Sequence, residues 1–166
     1  MSCKVTIGNV VIEYVNSITA NESIKKLSDT ATIIIPREYT EASVDGSQET
    51  FAGNNILDFI KVDHPVTIEM GYDDNLAIEF TGYVTSISAD VPLVIKCEDE
   101  MFQLRKSNFS QTFSSLSLLQ LLKTISPGYS YDILDDIKLG KFTLNNESAY
   151  QILERLRKDY GLHSRF

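Results

Sequence analysis

Between Val66 and Glu100 the chain reads VTIEMGYDDNLAIEFTGYVTSISADVPLVIKCEDE, three alternating runs joined by two compact turns. Val66, Ile68 and Met70 alternate with Thr67 and Glu69. Leu76, Ile78 and Phe80 alternate with Ala77, Glu79 and Thr81, and Val91, Leu93, Ile95 and Cys97 follow the same rule. Successive side chains of a strand point to opposite faces, so a period of two commits one face to a core. The other face is left to solvent or a partner. Tyr72-Asp73-Asp74-Asn75 and Ala89-Asp90 supply the turn chemistry. The stretch predicts an antiparallel β-meander whose use depends on what its second face touches.

The rest of the chain bounds that use. With 166 residues, 43% of them hydrophobic and 23% charged, it has room for one domain or two small ones around a real core, and it is not a disordered chain. Fifteen basic against twenty-three acidic residues give a net charge of −8, which argues against stable nucleic-acid binding. Phosphate contacts need clustered Lys and Arg. No apolar run approaches the roughly 18 residues of a membrane span, and the N-terminus MSCKVTIGNV lacks the basic-then-apolar pattern of a leader. A soluble protein made in the cytoplasm is expected. The N-x-S sequons at Asn21, Asn108 and Asn146 therefore carry no information. Cys3 and Cys97 are far apart and form no CxxC; Cys97, on the apolar side of its run, reads as a small buried hydrophobe.

Residues 3–15 read as a hairpin, with Val5 and Ile7, a Gly8-Asn9 turn, then Val10, Ile12 and Tyr14. Leu27–Pro36 is a β-branched strand stopped by proline. From Arg37 to Lys61 the alternation fails, which predicts a long loop, either a surface loop or an arm reaching a neighbouring subunit. Glu98–Lys106 reads as a short polar turn or helix. Beyond it the pattern changes to strands at Asn108–Phe113, Tyr129–Leu134, Lys141–Leu144 and from Leu162, with helices at Ser115–Ser126 and Glu147–Tyr160. The second helix is expected to be capped by Asn145 or Asn146 and ended by Gly161. A shift of 31 residues lays Ser117, Gln120, Leu122 and Ile125 on Ser148, Gln151, Leu153 and Leu156, a faint internal repeat. Residues 107–166 thus read as β-α-β-β-α-β, the split-βαβ order. The last strand is cut at Phe166, so this unit is expected to be truncated at its C-terminal end.

Chemistry has few candidates. A hairpin pairing Tyr72 with Leu76 sets Glu69 directly opposite Glu79 on the non-core face, close enough for a carboxylate dyad or for a shared basic neighbour. Asp73-Asp74-Asn75 and Glu98-Asp99-Glu100 offer oxygen ligands but lack the spacing of a calcium loop. His64 and His163 have no motif partner. No GxSxG, HExxH or glycine-rich phosphate loop occurs, so no catalytic site, metal or cofactor is expected.

DFIKVDHPVTIEMGY (Asp58–Tyr72), FTGYVTSI (Phe80–Ile87), VIKCED (Val94–Asp99) and LRKDYGL (Leu156–Leu162), with KLSDTATIIIPR (Lys26–Arg37) before them, together resemble the late control protein D family, the hub proteins of contractile phage tail baseplates. That family is related to tail-tube proteins and to the spike proteins of type VI secretion. The chain departs from it at Asp63-His64, where members tend to carry a glycine and then an acidic residue. The resemblance implies a β-rich α+β chain, with an antiparallel β-barrel of the tail-tube/hub type over 1–106 (long loop 37–61) followed by the small α/β unit 107–166. It further implies a homotrimer of the full-length protein, with a second barrel beyond Phe166, that joins the tail-tube protein to the spike protein in the virion tail baseplate. The family has no catalytic residues to carry over. On this reading Glu69, Glu79, Thr81 and Tyr83 form a subunit-interface or lumen face. The competing classes are a carbohydrate- or peptide-binding β-module using Tyr72 and Tyr83, and a hydrolase built on Glu69 and Glu79.

Overall fold

Gly8 sets the first turn: its φ of 57° lies in the left-handed region open to glycine. Ile7 pairs directly with Val10 across it, so β1 (Ser2–Ile7) and β2 (Val10–Ile12) form the expected hairpin. The computed structural model describes residues 2–36, 38–42, 48–52, 58–72, 75–88 and 91–166. They divide into two units, Met1–Phe102 and Gln103–Arg165.

In the first unit, β3 (Ser17–Asn21), β4 (Thr30–Ile35), β7 (Pro65–Tyr72), β8 (Asn75–Ser88) and β9 (Leu93–Glu98) join the hairpin in one antiparallel sheet of order β2-β1-β7-β8-β9-β4-β3. Between β4 and β7, β5 (Glu38–Ala42) and β6 (Gln48–Ala52) form a separate two-stranded sheet, pairing from Glu38↔Ala52 to Ala42↔Gln48. The span expected to be a loop therefore contains a strand pair that its polar sequence did not announce.

The long strand β8 shapes the sheet. Its Asn75–Tyr83 part pairs with β7, and its Tyr83–Ser88 part pairs with β9. Only Tyr83 touches both ladders, so the sheet consists of two halves hinged on one strand. Corners of this kind are made where a strand changes sheets at a bend or bulge. Gly82 stands at the corner: a β-carbon there would collide with the Glu98 carbonyl oxygen and crowd the Phe80 ring. The halves fold over a single buried cluster that takes Val5, Ile7, Ile12, Val66 and Ile68 from one side and Ala31, Ile33, Ile35, Leu93, Ile95 and Cys97 from the other. Burying each such aliphatic side chain contributes roughly 1.5–3 kcal/mol. The expected closed barrel is not what the ladder forms: among the described residues β2 and β3 remain its two edges.

Asp63 has a φ of 79°, in the left-handed region that residues other than glycine rarely adopt. Its N–H donates to the Val84 carbonyl (2.8 Å) and the Val84 N–H donates to the His64 carbonyl (3.0 Å), fastening the entry of β7 to β8 beside the corner.

The second unit is β10 (Asn108–Ser117), α1 (Leu118–Ile125), β11 (Lys138–Ser148) and α2 (Ala149–Tyr160), with the two strands antiparallel. Both helices start in a complete capping box, Ser117 with Gln120 and Ser148 with Gln151. The expected cap at Asn145 or Asn146 is displaced because β11 runs on to Ser148, leaving Asn146 inside the strand at a φ of 53°. Gly161 ends α2 in the left-handed conformation, as its position predicts. The strands expected at Tyr129–Leu134 and after Leu162 do not form. The unit is therefore β-α-β-α and not the split-βαβ order. Arg155 of α2 pairs with Glu147 (3.0 Å), donates to the Thr143 carbonyl (3.1 Å) and stacks on Phe142, its guanidinium 4.3 Å from the ring centroid.

The corner makes a direct prediction. Gly82→Ala should lower the unfolding free energy by about 1–3 kcal/mol, since the β-carbon meets backbone and not a movable side-chain end. Urea titration of both proteins measures it.

Candidate interaction surface

The strand registers place the sequence-predicted residues on the non-core face of the first half-sheet. Thr6, Thr67 and Thr81 lie in one row across β1, β7 and β8. In the next row Lys4 stands opposite Glu69, and Glu69 stands opposite Ile78. Glu79 is the extra residue of a bulge on β8, between Ile78 and Phe80, and has no partner position on β7. The expected Glu69–Glu79 opposition is therefore not formed, because the hairpin pairs Tyr72 with Asn75 and not with Leu76.

Glu69 has a basic neighbour set by the β1–β7 pairing, Lys4 Nζ lying 3.7 Å from its carboxylate. The pair is partly exposed, worth up to about 1 kcal/mol. Ile78, expected in the core, is turned outward and is 64% exposed. Downstream of the bulge the phase recovers, and Phe80 and Val84 are buried. Glu79 and Thr81 are exposed, while Glu69 and Tyr83 are half-buried.

Tyr83 sits opposite Pro65 on one side and Glu98 on the other. Burial pushes its hydroxyl above the usual tyrosine range; the hydrogen bond it gives Glu100 and the charges of Glu100 and Asp63 push the same way. The Glu98-Asp99-Glu100 run thus has internal uses. The Ser28 hydroxyl donates to Glu98 at 2.7 Å. Asp99 accepts the Asp29 N–H (2.9 Å) on one oxygen and the Met101 N–H (3.0 Å) on the other, which starts the 3-10 turn Glu100–Arg105. Burial raises the Asp99 carboxyl above the usual aspartate range, and those two N–H bonds oppose the rise. His64 accepts the Lys61 N–H at 3.4 Å within its own turn, and His163 is exposed. No group of His, Cys, Asp and Glu able to hold a metal ion occurs among the described residues; Asp73 and Asp74 lie outside them.

The second unit carries a cleft of about 540 Å³ walled by Leu119, Lys123, Pro127, Tyr129 and Tyr131. Its best polar handle is already engaged, since the Tyr131 hydroxyl donates to the Leu122 carbonyl at 3.0 Å and meets Ser126 Oγ at 2.9 Å. That arrangement closes the end of α1.

Sequence reasoning missed Lys4 and the exposure of Ile78. The first was within reach, because Lys4 and Thr6 alternate with the core residues Val5 and Ile7. The second was not, since nothing in the alternation marks the bulge.

No family model and no curated protein matches the chain. Among solved structures it shares its fold with phage tail proteins. The 43 kDa tail protein of prophage MuSo2 from Shewanella oneidensis is 16% identical, with a TM-score of 0.64 over 97% of this chain and 50% of that one. The tail protein from Neisseria meningitidis MC58 is 13% identical, with a TM-score of 0.64 over 99% of this chain and 47% of that one. The chain spans about half the length of both. At these identities the likeness is one of fold.

Three outcomes follow from the buried groups. Cys97 is buried and its thiol is pushed up from 9.0 to about 12, so in the native protein an alkylating reagent should modify half-buried Cys3 well before Cys97. A folded pKa above the unfolded one supplies stability that is complete below pH 9 and is lost as pH climbs from 9 toward about 12. Cys97→Ala should make the alkaline fall in stability shallower in a series of denaturant titrations, the part due to Tyr83 remaining. Asp99→Ala should cost about 1–3 kcal/mol, because it strands two backbone donors at or near the core.

Proposed function

We propose that this chain is a structural protein of a phage or prophage contractile tail, the baseplate hub subunit that joins the tail tube to the central spike. The supporting observation is the fold likeness to two tail proteins over 97% and 99% of the chain. In this reading residues 1–106 are the tube-like hub domain, with the half-sheets of the first unit standing for its barrel, and residues 107–166 are an adjoining α/β domain. The hub works as a homotrimer in the virion baseplate, with the tail-tube protein and the spike protein as neighbours. Glu69, Glu79, Thr81 and Tyr83 belong to a surface turned toward a neighbouring subunit or the lumen.

The physical case is that the sheet has spent one face on its core and left a polar, threonine-lined face with the outward Ile78 and Val11 available for contact. The acidic balance of −8 suits a channel that must release DNA. Of the two tyrosines on which the carbohydrate- or peptide-binding alternative rests, Tyr83 is half-buried with its hydroxyl given to Glu100, and Tyr72 alone of the pair is exposed. The hydrolase alternative loses its dyad with the observed register.

Quantitative mass spectrometry of purified tails should find this chain at three copies per particle, cross-linked to tube and spike proteins. Six copies, or absence from the particle, would refute the assignment. Glu79→Arg and Ile78→Asp should leave the unfolding free energy within about 0.5 kcal/mol, as changes at exposed positions do. Both should sharply reduce the yield of assembled tails; unchanged assembly in both would remove this face from the interface.

A further inference from the structure

The 31-residue offset seen in the sequence extends to features that amphipathic helices alone do not generate. Ser117 and Ser148 each end a strand and cap a helix, and each forms the full reciprocal box with a glutamine three residues on. Leu118, Leu121 and Ile125 are buried in α1, and Ala149, Ile152 and Leu156, their equivalents at the same offset, are buried in α2. The strand register obeys the same rule. Under exchange of the two segments the pair Thr112↔Thr143 maps onto itself, Gln111↔Leu144 maps onto Phe113↔Phe142, and Phe109↔Glu147 maps onto Leu116↔Gly140, all of them observed. Two of the three irregularities also correspond. One bulge leaves an extra residue on β11 between Asn145 and Glu147, and its image leaves an extra residue on β10 between Phe113 and Leu116. Two pairs depart from the rule: the image of Ser110↔Asn145, Ser114↔Lys141, is not formed, and Ser117 meets Lys138 where the symmetry asks for Leu139.

We infer that residues 108–156 are two copies of one strand–cap–helix module, each the binding partner of the other across a local two-fold axis through Thr112 and Thr143. The interface is isologous, as in a symmetric homodimer, with the same surface used by both partners. The Thr112 and Thr143 hydroxyls, 3.5 Å apart, are where the axis requires like to meet like. The Ser126–Ile137 connection fuses the two partners into one chain. Unit two is therefore held together by a dimer interface that has become intramolecular, independent of any role in a tail.

Such an interface survives when its partners trade places. In the whole chain, residues 108–125 are exchanged with residues 139–156, leaving the connections untouched; a control exchanges 108–125 with 140–157, one residue out of register. A third variant exchanges only Ser117–Ile125 with Ser148–Leu156. Amide hydrogen exchange at Gln111–Phe113 and Phe142–Leu144 reads the second unit separately from the first. At least one in-register exchange should keep protection there within about tenfold of the natural chain, while the control loses it. If both in-register exchanges lose protection as the control does, the modules are not equivalent and the inference is wrong.

Discussion

Everything in the first unit depends on β8 changing partners at Gly82. A seven-stranded antiparallel sheet laid flat would need a second layer to cover its apolar face. Here β8 serves β7 with one part and β9 with the other, so each half-sheet becomes the cover of the opposite half. The close approach of Gly82 to the Glu98 carbonyl is the steric condition for that change, and any side chain would hold the two ladders apart. Asp63, held at a left-handed φ and bonded to Val84 just past the corner, fixes where the chain enters. Two bulges finish the work. One at Glu79 and one at Thr85 re-aim β8 before and after the corner, and the Thr85 hydroxyl donates to the Lys96 carbonyl at 3.0 Å beside the second.

Alternation carried the sequence reading as far as each side chain has only one core to face. The Gly8 hairpin, the β4 strand and the inward residues of β7 and β9 were legible for that reason. The reading failed where register departs from a period of two. Ile78 is as apolar as its neighbours, yet a single inserted residue turns it outward, and no local feature of LAIEF signals the insertion. β3 escaped notice because, as an edge strand with mostly exposed side chains, it shows just one large apolar residue, Ile18, at a core-facing position. In the second unit the helices were legible from their stripes. The strands were misjudged because β11 is long and bulged, absorbing Asn145, Asn146 and Ser148 that look like a cap and loop.

The outer face of the first half-sheet was legible only in part, for a topological reason. That Glu69 needed a basic neighbour followed from its charge, but which residue answered depended on β1 lying beside β7, a pairing between strands some sixty positions apart. The Glu98-Asp99-Glu100 run shows the opposite difficulty. Its composition suggests a cation site, whereas its geometry assigns each carboxylate a donor from the protein itself: Ser28, the Asp29 and Met101 amides, and Tyr83. Acidic clusters at strand ends often serve as caps, and burial with satisfied N–H donors distinguishes that use from metal binding.

The two units solve the problem of a small core by different routes, and the difference bears on what each can contribute to an assembly. The first unit folds one sheet against itself, so its inward residues are constrained by both halves and its outward residues by neither. The second unit uses symmetry in place of size: two short strand–helix modules, neither with enough apolar surface alone, complete each other's core across the Thr112–Thr143 axis. Some outward positions are required by neither architecture. In the first unit those are the bulge residue Glu79, the outward Ile78 beside it and the threonine row that follows, where the sheet's own energetics leave side-chain identity open.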